Sequence, residues 1–271
     1  MRKLIVKLSL FAQYRAAKVR TMCCIAISIP RFRERHAYIT RHLHTIWGPD
    51  FEIIGIDGTV AGRDASPGSD LSAGQVGCAL SHLAAYEAVV ARNLPWALIV
   101  EDDAVLPPDI HDILIRVEAT LRRGDVVLLY NRPQYRAAFS TVNADSIGDY
   151  RLCLPMSMGG LGTTAAYVIT RQAAEGILKA NRPVVAAADN WGYFYERRAF
   201  TRARVMSPNP VSLKPFESTI FPSGSKIGSV MKGSRLLQPL LAARRRFLTA
   251  RMTGNTVLVD EVSPYANLSP Q

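Results

Sequence analysis

Trp96-Ala97-Leu98-Ile99-Val100-Glu101-Asp102-Asp103 is an apolar run that stops on three adjacent carboxylates. Five consecutive apolar residues suit a strand buried on both faces. Three like charges at the end of such a strand repel one another and resist desolvation. A divalent cation removes both penalties, because carboxylate oxygens are natural ligands for Mg²⁺ and Mn²⁺. In open α/β sheets the carboxyl ends of the strands are also where ligands bind. The competing reading is a solvated strand end that caps the next helix.

Working outward, apolar runs alternate with helical repeats. Cys23 to Ile29 reads as a first buried strand, ended by Pro30. Arg31 to Thr45 has helical spacing, and Phe51 to Ile56 is a second strand closed by Asp57-Gly58. Residues 62–74 are rich in Gly, Ser, Asp and Pro, which predicts a loop. Ser72 and Gln75 then have the spacing of a capping box. The helix they open runs to about Arg92, with Val76, Leu80, Leu83, Tyr86, Val89 and Val90 near helical spacing. Pro107-Pro108-Asp109 starts a further helix to about Arg122, and Asp125 to Tyr130 is a strand. Residues 132–160 show little periodicity and fit a small hairpin or a loop. Ala165 to Ile169 is a strand, Thr170 caps a helix to Ala180, and Arg204 to Met206 is a last strand. The alternation predicts an α/β sheet with helices on both faces. No phosphate-binding P-loop is present. Gly159-Gly160-Leu161-Gly162 precedes a strand, which is the wrong context for a dinucleotide fingerprint.

The chain of 271 residues is long enough for one or two domains, and 48% hydrophobic content excludes a disordered chain. No stretch reaches the ~18 apolar residues that span a bilayer. Residues 1–20 lack a clean apolar segment and cleavage site, so they do not read as a secretory signal; an amphipathic anchor is the alternative. The net charge of +11 resides at the ends. Residues 1–20 carry six Lys/Arg, residues 226–251 carry seven, and neither stretch holds an acid, so the body sums to −2. The expected organisation is a basic extension over 1–22, one α/β domain over 23–225 and a basic tail over 226–271. Leu236 to Leu241 followed by Arg244-Arg245-Arg246 suits an anionic membrane surface. A solvated tail fits equally, and no nucleic-acid recognition motif is present. Cys23, Cys24, Cys78 and Cys153 have neither metal-ligand nor disulfide-framework spacing. Free thiols suit a reducing compartment, so the expected location is cytoplasmic, peripheral on the inner membrane face.

Several short motifs occur in a fixed order. Gly74-Gln75-Val76-Gly77-Cys78-Ala79-Leu80-Ser81-His82 is followed some twenty residues later by Leu98-Ile99-Val100-Glu101-Asp102-Asp103. Before them stand Ile27-Ser28-Ile29, the Arg-rich turn Arg31 to Arg35, and Ile54 to Gly58. After them come Gly162 to Ile169, Asp189-Asn190-Trp191 and Glu217 to Ile220. Over roughly residues 23–225 this pattern resembles glycosyltransferase family 25, which includes lipopolysaccharide galactosyltransferases and collagen galactosyltransferases. The chain departs from the family where Ile27-Ser28-Ile29-Pro30 replaces Ile-Asn-Leu-Asp, and where three alanines precede Asp189.

The resemblance implies a GT-A-like α/β fold with a mixed, mostly parallel central sheet. It also implies transfer of a hexose, in particular galactose, from a UDP-sugar to a saccharide or glycolipid acceptor. Inversion of configuration rests on the family likeness alone. Sugar transfer expels a diphosphate, and bound Mn²⁺ or Mg²⁺ stabilises that charge. Asp103 first and Glu101 second are the expected metal ligands, with Asp102 facing the nucleotide or supporting the pair. Asp189 is the candidate base for the acceptor hydroxyl; its alternative is the N-cap of the helix from Trp191. Trp191 stacks on a sugar face or packs in the core. His82 supports the donor site or is a hydrogen-bonded core residue. Ser28, Ile29, Gly58 and Ser81 are expected at the donor site. Asp57 touches the nucleotide or serves its turn, and Arg35 pairs with phosphate or with a surface acid. A non-catalytic carbohydrate- or nucleotide-binding protein of the same fold is the rival reading.

Overall fold

A computed structural model describes residues 22–61, 69–132 and 138–216, together with the backbone of 256–258. The basic extension, the Glu217 to Ile220 motif and the Leu- and Arg-rich stretch of the tail lie outside the described residues. In chain order the elements are β1 (Cys24–Ile27), α1 (Arg33–Ile46), β2 (Phe51–Ile54), α2 (Gly58–Ala61), α3 (Ala73–Ala91), β3 (Trp96–Glu101) and β4 (Ala104–Val105). They continue with α4 (Ile110–Glu118), β5 (Asp125–Leu128), β6 (Ala138–Ile147), β7 (Tyr150–Pro155), β8 (Ala166–Thr170), α5 (Arg171–Ala180), α6 (Trp191–Glu196), β9 (Arg202–Ser207), β10 (Ser212–Leu213) and β11 (Thr256–Leu258).

The strand order in the main sheet is β11-β6-β7-β9-β5-β8-β3-β1-β2. β1 pairs in parallel with β2 and β3, and β5 pairs in parallel with β9; the other pairings are antiparallel. β2, β1, β3, β5, β9 and β6 therefore point one way, and β8, β7 and β11 point the other. This mixed sheet, most of whose strands share a direction, is the α/β architecture expected of a GT-A-like transferase.

The apolar run at Trp96 divides its side chains between two cores, as strand alternation requires. Ala97 and Ile99 join Ile25, Tyr167 and Ile169 on the face covered by α3, α5 and α6. Leu98 and Val100 join Cys24, Ala26 and Val168 on the face covered by α1 and α4. A strand buried on both faces needs the unbroken apolar run that the sequence displays. Register then fixes the site. Ile27 lies level with Ile54 on one side and Glu101 on the other. β8 enters beside β3 in the opposite direction, and Glu101 N–H donates to Ala165 O at 2.8 Å. The ends of β1, β2 and β3 and the start of β8 thus share one edge.

The weakly periodic segment before Gly160 holds the long β6–β7 hairpin, whose register shifts between Ser140 and Asp145. The short β4–β10 pairing was not apparent from the sequence. Thr170 occupies the N-cap position of α5, but its hydroxyl donates to Asp125 O at 2.9 Å and makes no cap bond. α4 ends at Glu118 instead of reaching Arg122. Within the C-terminal region, β11 pairs with β6 and forms one edge of the sheet.

Candidate active site

The cleft at this edge is built on close backbone contact. Ser72 and Gln75 form the full capping box that starts α3. A Cβ at Gly77 would meet Gly58 N at 2.5 Å, and one at Gly58 would meet Ala73 O at 1.8 Å. Only glycine at both positions lets α3 rest on the turn after β2. Ser81 fixes that contact from the side: its Oγ accepts from Ile56 N–H at 2.8 Å and donates to Gly77 O at 2.7 Å. The resulting cleft holds about 620 Å³ of open space including its mouth, and Ser28, Ile29, Arg31, Gly58, Cys78 and Glu101 are among its lining residues.

β3 stops at Glu101, so strand alternation does not govern the next two acids. Asp102 and Asp103 sit in the turn to β4 and share Arg35. Arg35 Nε donates to Asp102 Oδ1 at 2.7 Å, and its terminal nitrogen reaches Asp103 Oδ2 at 3.1 Å. Ser28 Oγ donates to Asp102 Oδ2 at 3.2 Å, with His36 Nδ1 at 3.2 Å from the same hydroxyl. Arg35, expected at a phosphate, is thus engaged with the two aspartates. Burial pushes Asp102 above the ordinary carboxylate range despite Arg35. Burial, together with the charge of Glu101, raises Asp103 to about 6. Asp103 Oδ1 is buried and has no hydrogen-bond partner. A buried carboxylate oxygen without a donor is costly to leave and suits a cation ligand.

Glu101 belongs to a second network. Thr164 Oγ1 donates to its Oε1, and His82 Nε2 lies 3.5 Å from the same oxygen. Burial alone would raise the Glu101 carboxyl, but His82 and Thr164 outweigh it and hold it below its usual range. His82 is 1% exposed, and its Nδ1 sits 2.8 Å from Tyr167 Oη, which in turn lies 2.6 Å from Tyr86 Oη. His82 is therefore a core residue that braces Glu101 from behind.

Asp189 lies within electrostatic reach of this network. Burial raises its carboxyl above the usual range, and the charge of Glu101 raises it further, partly offset by Arg132 and His82. The capping alternative does not hold, because Asn190 caps α6 by accepting from Tyr193 N–H at 3.1 Å. Trp191 is fully buried. Its ring packs edge-on against Tyr167, and its Nε1–H donates to Thr163 O at 3.0 Å. The expected sugar platform is thus corrected to a core residue, because neither ring face is free. Asp57 accepts from Thr59 N–H at 2.9 Å and pairs with Arg31. The Thr59 hydroxyl, its N–H and Arg31 hold the Asp57 carboxyl below its ordinary range. Thr164 and Arg132 escaped the sequence reading. Thr164 lies within the Gly162 to Ile169 motif, but its bond to Glu101 had no local signal, and neither did Arg132.

The profile of glycosyltransferase family 25, described as lipopolysaccharide biosynthesis protein, matches residues 49–191, more than half of the chain. The chain belongs to glycosyltransferase family 25. The family match spans the Asp57-Gly58 turn, the α3 motif, the acidic triplet and Asp189. A Haemophilus influenzae strain Rd protein provisionally named a glycosyltransferase is 30% identical over 129 residues, covering 47% of this family 25 chain. The aligned part is 44% of that relative's own length. Among solved structures, mannose-1-phosphate geranyltransferase from Thermus thermophilus aligns over 68% of this chain and 72% of its own, at 11% identity and a TM-score of 0.36.

Proposed function

We propose that this family 25 chain transfers a hexose, galactose first among the candidates, from a UDP-sugar to a saccharide or glycolipid acceptor, with inversion at the anomeric carbon. The observation that carries the reading is the unpartnered, buried Asp103 Oδ1 beside Arg35, next to a cleft lined by Glu101 and Asp102. Asp103 and Glu101 would hold Mn²⁺ or Mg²⁺. Once bound, that ion would offset the charge of the departing diphosphate as a Lewis acid. Arg35 holds Asp102 and Asp103 in one orientation, and Ser28 fixes the second oxygen of Asp102. Arg31, half-exposed at the cleft mouth, supplies a cation for the diphosphate. Asp189, made more basic by burial and by Glu101, takes the proton of the attacking acceptor hydroxyl. A base of this kind contributes about 10²- to 10⁴-fold.

The test is transfer or hydrolysis of UDP-hexoses by the whole chain, with Mn²⁺ and with chelator. Turnover should require the cation, and Asp189→Asn should lower it by about 10²- to 10⁴-fold with unchanged circular dichroism. Cation-independent turnover would remove the metal assignment. No turnover with any UDP-hexose would favour a binding protein of the same fold.

A further inference from the structure

We infer that Cys78, His82 and Glu101 form a binding site for a borderline-soft divalent cation of the Zn²⁺ or Co²⁺ class at the floor of the cleft. One donor atom from each of the three lies within 4.8 Å of the other two. The sequence creates half of this arrangement, because Cys78 and His82 are four residues apart on α3 and share a face. β3 delivers the third donor. His82 Nε2 and the Glu101 oxygen are 3.5 Å apart. With metal–ligand bonds of the usual zinc lengths, two ligands on a tetrahedral ion stand roughly 3.4–3.6 Å apart.

His82 supplies the independent observation. It is 1% exposed, and its Nε2 has no hydrogen-bond partner. Its other ring nitrogen faces Tyr167 Oη, which is held by Tyr86. In the tautomer that binds a metal the proton sits on Nδ1, toward Tyr167, and Nε2 turns a lone pair to the side where, without a metal, it faces Glu101 as a donor. An outer partner of this kind is what orients a ligating histidine. The set of one sulfur, one nitrogen and one oxygen favours zinc-like ions over Mg²⁺, which prefers oxygen alone. Three protein ligands leave a fourth position, and Cys78 and Glu101 both line the cleft, so that position opens toward it. Glu101 is shared with the proposed donor-side cation, so a zinc-like ion would compete with Mn²⁺ there. The site itself does not depend on the donor reading.

The test is titration of the metal-free full chain with Co²⁺ in the absence of nucleotide. One equivalent should bind with a thiolate-to-cobalt charge-transfer band. Cys78→Ser should abolish the band and weaken Co²⁺ binding by more than about 100-fold, since even outer-shell losses cost about 10- to 100-fold. Asp103→Asn should keep the band, which separates this site from the donor-side cation. In the unsubstituted protein, Zn²⁺ should protect Cys78 from alkylation, read by peptide mapping. Binding of Co²⁺ without a thiolate band, survival of the band in Cys78→Ser, or equal labelling of Cys78 with and without Zn²⁺ would each overturn the inference.

Discussion

Asp103 holds its charge at a cost that the fold does not fully offset. Its carboxyl is raised to about 6 by burial and by Glu101, against about 3.9 for a free side chain. Below about pH 4 it is protonated in both folded and unfolded chains. Between about pH 4 and 6 the folded chain keeps a proton that the unfolded chain has released, so stability falls as pH rises through this window. Above about 6 the cost is complete, at most about 3 kcal/mol. Asp103→Asn, having no charge to hold, is expected to melt higher than the parent at pH 7.5 without metal, and equally near pH 4. The same substitution should remove most cation-dependent transfer. Thermal melts at the two pH values, set beside a turnover assay, check both halves. A lower melting temperature at pH 7.5 would mean that the Arg35 contact outweighs burial. Ser28 gives a smaller effect of the opposite sign. Its hydroxyl donates to Asp102. Ser28→Ala should cost about 1 kcal/mol, the ordinary net value of one hydrogen bond, measurable by urea unfolding.

At the scale of elements, two packing devices can be separated by mutation. Asp125 at the start of β5 is 1% exposed and pairs with Arg202 at 2.6 Å and with Arg204, itself 2% exposed, at 3.0 Å. Arg204 also meets Asp145 of β6 and Thr120, so β5, β6 and β9 share one charged knot. Asp125→Ala leaves two arginines against buried surroundings and should cost about 3–5 kcal/mol in urea unfolding. Removal of the exposed Arg92–Glu52 pair by Arg92→Ala should cost less than about 1 kcal/mol. The second device is the glycine contact under the cleft. Gly77→Ala drives a methyl into the Gly58 backbone and should cost about 1–3 kcal/mol while weakening ligand binding. The contrast explains what the sequence disclosed. α3 was legible because its capping box and glycines are local signals. β3 was legible because burial on both faces demands an unbroken apolar run. The knot around Arg204 was hidden, since its partners are separated by 59 to 84 residues. The β6–β7 hairpin was indistinct because β6 is half-exposed along most of its length and its burial does not alternate. At the site, the acids and Asp189 could be named from the chain, but their partners could not. Arg35 takes Asp102 and Asp103 because the strand ends at Glu101, two residues before Asp103.

For the whole molecule the question is where so much positive charge goes. The body sums to −2, and residues 226–251 carry seven basic side chains among leucines. No helix among the described residues is long and apolar enough to cross a membrane. A glycolipid acceptor would nevertheless require the cleft to work beside a bilayer, and a basic, leucine-bearing segment is suited to hold it there. Deleting the tail is a poor test, because Thr256–Leu258 pair with β6 and would be lost with it. Neutralising Arg244, Arg245 and Arg246 to Gln leaves that strand in the chain. Each arginine near an anionic surface contributes about 1 kcal/mol, so the triple variant should lose roughly 100-fold in affinity for vesicles rich in anionic lipid. Binding to zwitterionic vesicles should change little, and raising the salt should erase the difference. Turnover on a water-soluble acceptor should match the parent, whereas turnover on a lipid-embedded acceptor should fall with vesicle affinity. Co-sedimentation at two salt concentrations reads the first effect and the paired acceptor assays read the second. Equal vesicle binding by parent and variant would assign the charge to solubility instead.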